Sequence, residues 1–214
     1  MNERPPDFDR IARAYRWLEY ASLGTLLERT RECHIPRLRA CRRALVLGDG
    51  DGRFTVRLLE TAPNIHVEAV DLSGVMLALL RDRCANFADR LQTFQQDVRT
   101  FRPHGQPDVI ITHFFLDCLS QAEIDSVVGR LSPTLAPGTL WVVSDFRIPA
   151  GFLSGPAWIY IRALYFAFRV LTGLRVTRLP DHGSALRRCG FTRIAVERKM
   201  FGVLTAEVWE LGPD

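Results

Sequence analysis

The chain has 214 residues, 47% of them hydrophobic, enough for one domain with a sizeable core. Its formal net charge of +4 falls short of the clustered charge of a dedicated nucleic-acid binder. No uncharged apolar run approaches the ~18 residues of a membrane span.

The first residues, Met1 to Pro6, contain no signal-peptide core. The five cysteines (Cys33, Cys41, Cys84, Cys118 and Cys189) are scattered and never form C-x-x-C. That pattern predicts neither a metal site nor a disulfide framework, and a reducing, cytoplasmic setting.

Residues 7–34 read as helical, with Phe8, Ile11, Ala12, Tyr15 and Leu18 at helical spacing. Gly24 separates a second helix through Leu26, Leu27 and Thr30, and Pro36 is expected to end the segment. Residues 1–40 are read as a helical lead-in, and residues 41–214 as the main domain.

Strands and helices then alternate. Residues 44–47 read as a strand, and 52–61 as a helix. Between them, three glycines stand on alternate positions: Gly48, Gly50 and Gly52. Such a turn lets a ligand lie against bare backbone. A dinucleotide fingerprint needs G-x-G-x-x-G, and the last position is Arg53 or Thr55 by either count. A phosphate loop needs Gly-Lys-Ser/Thr, which does not occur. Asp49 and Asp51 inside the turn would repel a pyrophosphate, and suit a ligand carrying positive charge. The simpler alternative is a plain Gly/Asp turn.

Residues 65–70 read as a second strand, ending at Asp71, where an acid can accept from both hydroxyls of a ribose. Its plainer role is to cap the helix predicted over 73–87, for which Ser73 is also suited. Residues 91–95 are the third strand, and the apolar run 108–113 a strand buried on both faces. A helix over 120–132 follows a Ser120 cap, and 140–144 is the fifth strand. Alternation of this kind implies right-handed crossovers and a parallel sheet covered by helices.

The pattern breaks at a helical insertion over about 150–180, whose centre, 155–173, is a long aromatic helix. Arg162 and Arg169, seven apart, share one face, with Tyr160, Leu164, Ala167 and Leu171 opposite. It reads as an amphipathic lid, or as a contact with an apolar acceptor or a lipid surface. A short helix over 181–189 ends at Gly190. Residues 192–198 and 203–211 read as a hairpin closed by a turn containing Gly202.

These blocks together resemble the class I S-adenosylmethionine-dependent methyltransferases over roughly residues 40–211. The first is Val46-Leu47-Gly48-Asp49-Gly50-Asp51-Gly52, the second Val70-Asp71-Leu72-Ser73-Gly74-Val75-Met76-Leu77, and the third Gln96-Asp97-Val98. The fourth is the strand-four end, Thr112-His113-Phe114-Phe115-Leu116-Asp117. The lead-in Phe8-Asp9-Arg10-Ile11-Ala12-Arg13-Ala14-Tyr15 is similar to the opening of the branch of ubiquinone/menaquinone C-methyltransferases and phospholipid N-methyltransferases.

The resemblance implies a Rossmann-like α/β fold: a mostly parallel seven-stranded sheet, helices on both faces, and a C-terminal antiparallel hairpin. It implies S-adenosylmethionine as cofactor and S-adenosylhomocysteine as product. Gly48, Asp49, Gly50, Gly52, Asp71, Leu72, Met76, Asp97, Val98, His113 and Tyr15 would bind the cofactor. His113 and Asp117 stand where methyl transfer would occur, as a base or an acceptor anchor. His182 reads as a surface or loop residue unless the insertion folds inward. Many members carry an acid two residues before the first glycine; here that place is Val46, with Asp49 the expected substitute.

The acceptor implied is a small apolar or aromatic molecule. The alternatives are a non-catalytic cofactor-binding module and an RNA methyltransferase using Arg29, Arg31, Arg37, Arg39, Arg42 and Arg43, a run that Glu28 and Glu32 interrupt.

Overall fold

A computed structural model describes residues 25–149, 151, 154–172 and 179–213, with only the backbone of 164–172. The first lead-in helix, and with it Tyr15, lies outside the described residues.

Seven strands form one sheet: β1 (Arg43–Leu47), β2 (His66–Asp71), β3 (Leu91–Gln95), β4 (Val109–His113), β5 (Leu140–Phe146), β6 (Phe191–Lys199) and β7 (Leu204–Leu211). Their order is β3-β2-β1-β4-β5-β7-β6. The first five pair in parallel; β7 lies antiparallel between β5 and β6. β5 runs two residues beyond the expected 140–144, because Asp145 and Phe146 pair with Thr205 and Leu204 of the hairpin.

The described helices are α1 (Thr25–Glu32), α2 (Arg53–Thr61), α3 (Gly74–Arg83), α4 (Gln121–Leu131), α5 (Ser154–Thr172) and α6 (His182–Arg188). Pro36 does not end α1; it sits in a separate 3-10 turn, Ile35–Leu38. α3 stops at Arg83, four residues before the expected 87. Cys84 leaves helical geometry at ψ 18, and a 3-10 stretch, Ala85–Arg90, follows.

Local signals explain the starts. Ser120 Oγ accepts from Glu123 N while the Glu123 carboxylate accepts from Ser120 N, a complete capping box on α4. Ser73 Oγ accepts from Met76 N and caps α3. α4 buries Ile124, Val127, Val128 and Leu131, one stripe at helical spacing.

The sheet separates two apolar layers. Ala44, Val46, Val109, Ile111 and Val142 face Phe54, Leu58 and Leu59 of α2 on one side. Leu45, Leu47, Ile110, Trp141 and Val143 face α4 and α6 on the other. Alternation along each strand divides its residues between the layers, and each fully buried aliphatic contributes roughly 1.5–3 kcal/mol. Val46 is one of these core residues, 1% exposed.

The order reverses between β1 and β4. At such a switch point the loops leaving adjacent strands diverge and leave a crevice at their carboxyl ends. The glycine turn follows β1, and His113 ends β4, so both border that crevice.

Candidate active site

The turn after β1 is built from left-handed glycines: φ is 70° at Gly48, 64° at Gly50 and 79° at Gly52. Side chains rarely adopt such angles. Packing adds a second requirement. A Cβ on Gly48 would stand 2.1 Å from the Phe115 ring, and one on Gly52 2.6 Å from Leu80 Cγ. A Cβ on Gly50 would meet only Met76 Sδ, at 3.8 Å. The turn is therefore pressed onto the domain at its ends and has bare backbone at its middle.

The two acids of the turn differ in use. Asp51 Oδ2 accepts from Arg53 Nε at 3.1 Å and from Arg83 Nη2 at 2.8 Å, which ties the turn to α3. Its charge is answered within the protein, contrary to the expectation that both acids serve a cationic ligand. Asp49 Oδ2 accepts from Thr55 N at 3.0 Å and Thr55 Oγ1 at 2.6 Å, so it caps α2. Burial pushes its carboxyl up to about 6, against those hydrogen bonds and the nearby Arg31.

A raised folded-state pKa contributes stability that is present below the unfolded value and lost as pH rises through the folded one. Asp49→Asn keeps an oxygen for Thr55 and removes the buried charge. The variant is therefore expected to gain stability over the parent chain between pH 5 and pH 7, by on the order of 1–2 kcal/mol. Urea unfolding at the two pH values measures it; a gap that shrinks as pH rises refutes it.

Asp71 is half-buried at the end of β2. Its Oδ1 accepts from Ser73 N at 2.9 Å, which fixes the carboxylate at the mouth of the crevice. Leu72 beside it is 37% exposed, whereas Met76 is buried beneath the turn. Asp97 lies after β3, but both its oxygens accept from the Arg99 guanidinium, at 2.6–3.0 Å. Burial would raise its carboxyl, yet the Arg99 hydrogen bonds hold it below the ordinary carboxylate range. Val98 is buried and its carbonyl accepts from Arg130.

His113 is buried at the end of β4, edge-on to Phe54 with ring centroids 4.3 Å apart. Neither ring nitrogen has a hydrogen-bond partner among the described residues. Burial, then Arg31 and His34, lower its pKa well below the usual imidazole range, so the ring is neutral. A neutral imidazole offers one donor and one acceptor, and both are unused here. Leaving them unused carries a desolvation cost of ~1–3 kcal/mol, tolerable where a ligand completes the bonds. His113→Leu is accordingly expected to raise the stability of the ligand-free protein by about 1 kcal/mol. A loss of stability in urea unfolding would show that those nitrogens are already satisfied.

The next residue is strained. Phe114 has φ 50°, in the left-handed region, unusual for an aromatic residue. Its ring meets Phe146 at 5.2 Å, and the Arg31 guanidinium lies 5.2 Å above it. Leu26 and Leu27 of α1, Tyr160 of α5 and Met200 pack into the same group. This apolar wall, drawn from α1, β4, β5, α5 and the hairpin, stands next to His113.

Asp117 is buried in the 3-10 turn Leu116–Cys118, beside Asp145 of β5. Burial and then the Asp117 charge push Asp145 well above the carboxylate range. Asp145 Oδ1 accepts from Phe146 N, and His182 Nδ1 lies 4.0 Å from its Oδ2. His182 Nε2 reaches Glu207 Oε2 at 3.3 Å, and Arg193 and Trp209 donate to the same carboxylate. Burial alone would raise Glu207, but His182 and Arg193 hold it down at about 2. His182 is thus neither a surface nor a loop residue; it joins the start of α6 to Asp145 near the end of β5 and to Glu207 in the middle of β7. Asp145 and Glu207 were absent from the expected site, since their partners lie far away in sequence.

Of the arginines named for RNA, Arg31 lies over the Phe114 ring.

Comparison with known proteins agrees with this geometry. Residues 44–138, from β1 to the loop before β5, match the family model described as a methyltransferase domain. The fold is the class I methyltransferase fold. A solved relative in structure is the N-methyltransferase NodS from Bradyrhizobium japonicum in complex with S-adenosylhomocysteine. Its TM-score is 0.64 at 17% identity, over 94% of this chain and 98% of that one.

Among curated proteins, the trans-aconitate 2-methyltransferase of Rhodococcus jostii is 30% identical over 126 residues, 59% of this chain and 45% of the relative. A mitochondrial ribosomal RNA small subunit methyltransferase of Arabidopsis thaliana is 35% identical over 105 residues, 48% of this chain and 26% of the relative. The chain thus spans less than half the length of these two proteins. Together these findings agree on the class I methyltransferase fold, whose cofactor is S-adenosylmethionine.

The residues present fit that cofactor. Bare backbone at Gly50, a carboxylate at Asp71 and the absence of a phosphate-binding tripeptide suit an adenosine without phosphate. Among the described residues, no group of three or more His, Cys, Asp or Glu side chains could hold a metal ion.

Proposed function

We propose that the protein transfers a methyl group from S-adenosylmethionine to a small apolar or aromatic acceptor. The observation that carries this reading is the glycine turn at the β1/β4 switch point, with Asp71 beside it and the unpartnered His113 across from it. Asp71 holds the ribose hydroxyls, and the backbone of Gly48, Gly50 and Gly52 lies under the rest of the cofactor. Leu72, Met76 and Val98 supply apolar surface around the adenine, with Asp97 at its edge through whatever freedom Arg99 leaves it. Asp49 stands as the acid of the turn in place of one at Val46.

The cofactor supplies an activated methyl on a sulfonium. The chain's task is then to orient an acceptor and keep water out. Phe114, Phe146 and Tyr160 form the wall against which such an acceptor packs. His113 accepts a hydrogen bond from the acceptor or takes its proton; its depressed basicity favours orientation over outright deprotonation. Asp117 acts by holding the turn after β4 in place, through Asp145. No finding favours the non-catalytic alternative.

Calorimetry with S-adenosylhomocysteine tests the reading, followed by turnover of labelled S-adenosylmethionine on a panel of aromatic and apolar acceptors. Absence of binding overturns it; binding without turnover on any class of acceptor would leave a binding module.

An RNA acceptor is the second reading, supported by the ribosomal RNA methyltransferase among the relatives. RNA binding that falls steeply with salt would favour it.

A further inference from the structure

The insertion between β5 and α6 has a charge pattern that the transfer reaction does not use. Residues 147–181 contain five arginines and a single acid, Asp181, which caps α6, in a chain with 24 acids. A solvated helix face ordinarily mixes both signs. The structure shows what accompanies two of them, Arg147 and Arg162. Phe201 is 86% exposed, Ile159 64%, Trp158 50% and Ile148 38%. These four belong to one region. Arg147 N donates to Val203 O at 2.8 Å, and Pro149 Cβ lies 3.6 Å from the Cβ position of Gly202. Met200 and Val203 pack on Ala157 and Ile161 of α5, the helix that carries Trp158 and Ile159.

The turn that presents Phe201 is strained. Met200, Phe201 and Gly202 follow one another at φ 49°, 54° and 89°. A bulky residue held left-handed with its ring in water gains nothing for the fold. Arg147, Arg162 and Arg198 are exposed around these side chains, and the Arg162 guanidinium lies 5.2 Å from the Trp158 ring.

We propose that this face, α5 with residues 147–149 and 200–202, docks on an anionic lipid surface. Apolar side chains enter the acyl boundary while the arginines meet phosphate and carboxylate headgroups. A second copy of the chain is a poorer occupant, because a two-fold contact would set arginines against arginines. RNA is poorer too, because isoleucine and phenylalanine tips gain little against a phosphate backbone. No described helix is long and apolar enough to cross a membrane, so the contact is with the surface. The inference rests on the proposed methyl transfer only for its purpose, which is to let an apolar acceptor pass from lipid to the wall at Phe114.

Vesicle co-sedimentation tests it, with phosphatidylcholine alone against phosphatidylcholine mixed with phosphatidylserine. The protein is expected to sediment with the mixed vesicles and to be released by salt. Arg147→Gln, Arg162→Gln and Arg198→Gln should each weaken binding roughly fivefold. Phe201→Asn combined with Ile159→Gln should weaken it more than ~10-fold, and Asn tolerates the left-handed angle. S-adenosylhomocysteine binding should be unchanged in all of them, which separates this proposal from the catalytic one. Equal binding to both vesicle types, no binding to either, preferential capture of RNA, or self-association abolished by the same substitutions would each overturn it.

Discussion

Asp71→Ala is expected to bind S-adenosylhomocysteine about 30- to 150-fold more weakly than the unmodified chain. Hydrogen bonds to a charged group are worth ~1.5–3 kcal/mol each, and at half-buried Asp71 water replaces them only in part; a net loss of ~2–3 kcal/mol gives that factor. Part of any effect could come from the turn itself, since Asp71 Oδ1 also accepts from Ser73 N. Asp71→Asn separates the two. It keeps an oxygen for Ser73 but loses the carboxylate that accepts from two hydroxyls at once. If the ribose is read here, Asn weakens binding nearly as much as Ala while unfolding in urea is unchanged. Undiminished affinity in both variants would move the cofactor elsewhere and overturn the site assignment.

The second large effect is on the fold. Gly52→Ala should destabilise the protein by about 2–4 kcal/mol. Two costs combine. The residue sits at φ 79°, and its new Cβ would lie 2.6 Å from Leu80 Cγ and 2.9 Å from Leu80 Cα. A side-chain end could swing away, but the Cα belongs to α3, so the helix itself must shift. Gly50→Ala is the informative contrast. Its Cβ meets nothing nearer than Met76 Sδ at 3.8 Å, leaving only the left-handed cost of ~1–2 kcal/mol. That variant should stay folded and lose cofactor affinity, because its methyl group projects from the bare part of the cradle. Urea midpoints and calorimetry on the pair distinguish a glycine needed for packing from one needed for ligand approach. Equal stability losses at both positions would show that packing against α3 is not what demands Gly52.

Much of the arrangement was legible along the chain because its causes are local. Ser120 and Glu123 lie three apart and announce α4 before any tertiary contact exists. The unbroken apolar run into β4 marks a strand covered on both faces. The glycine spacing after β1, with Asp71 at the end of the next strand, marks a ligand cradle at the ends of the first two strands. The hairpin is also legible, since two strands without an intervening helix have few ways to pair. Its insertion beside β5 was not specified by that argument; β5 gained two residues from it.

The candidate site was legible by position and less so by partner. Along the chain Asp51 reads as ligand chemistry; the fold spends it on Arg83, 32 residues on. Asp97 reads as open and is closed by Arg99, and His182 reads as peripheral and is met by Glu207 and Asp145. The strain at Phe114 has no signal in composition, because a left-handed aromatic is imposed by packing against Phe146 and Arg31.

By itself the sequence determined the element types, their caps, the strand polarity and the residues that border the crevice. These follow from hydrophobic period, backbone preference and handed crossovers, all set within a few residues or one βαβ unit. The tertiary structure alone decided which of those residues are spent on one another and which are left open. Hydrogen bonds and charges are satisfied by whatever the fold brings within about 3 Å, and that pairing joins residues far apart in the chain.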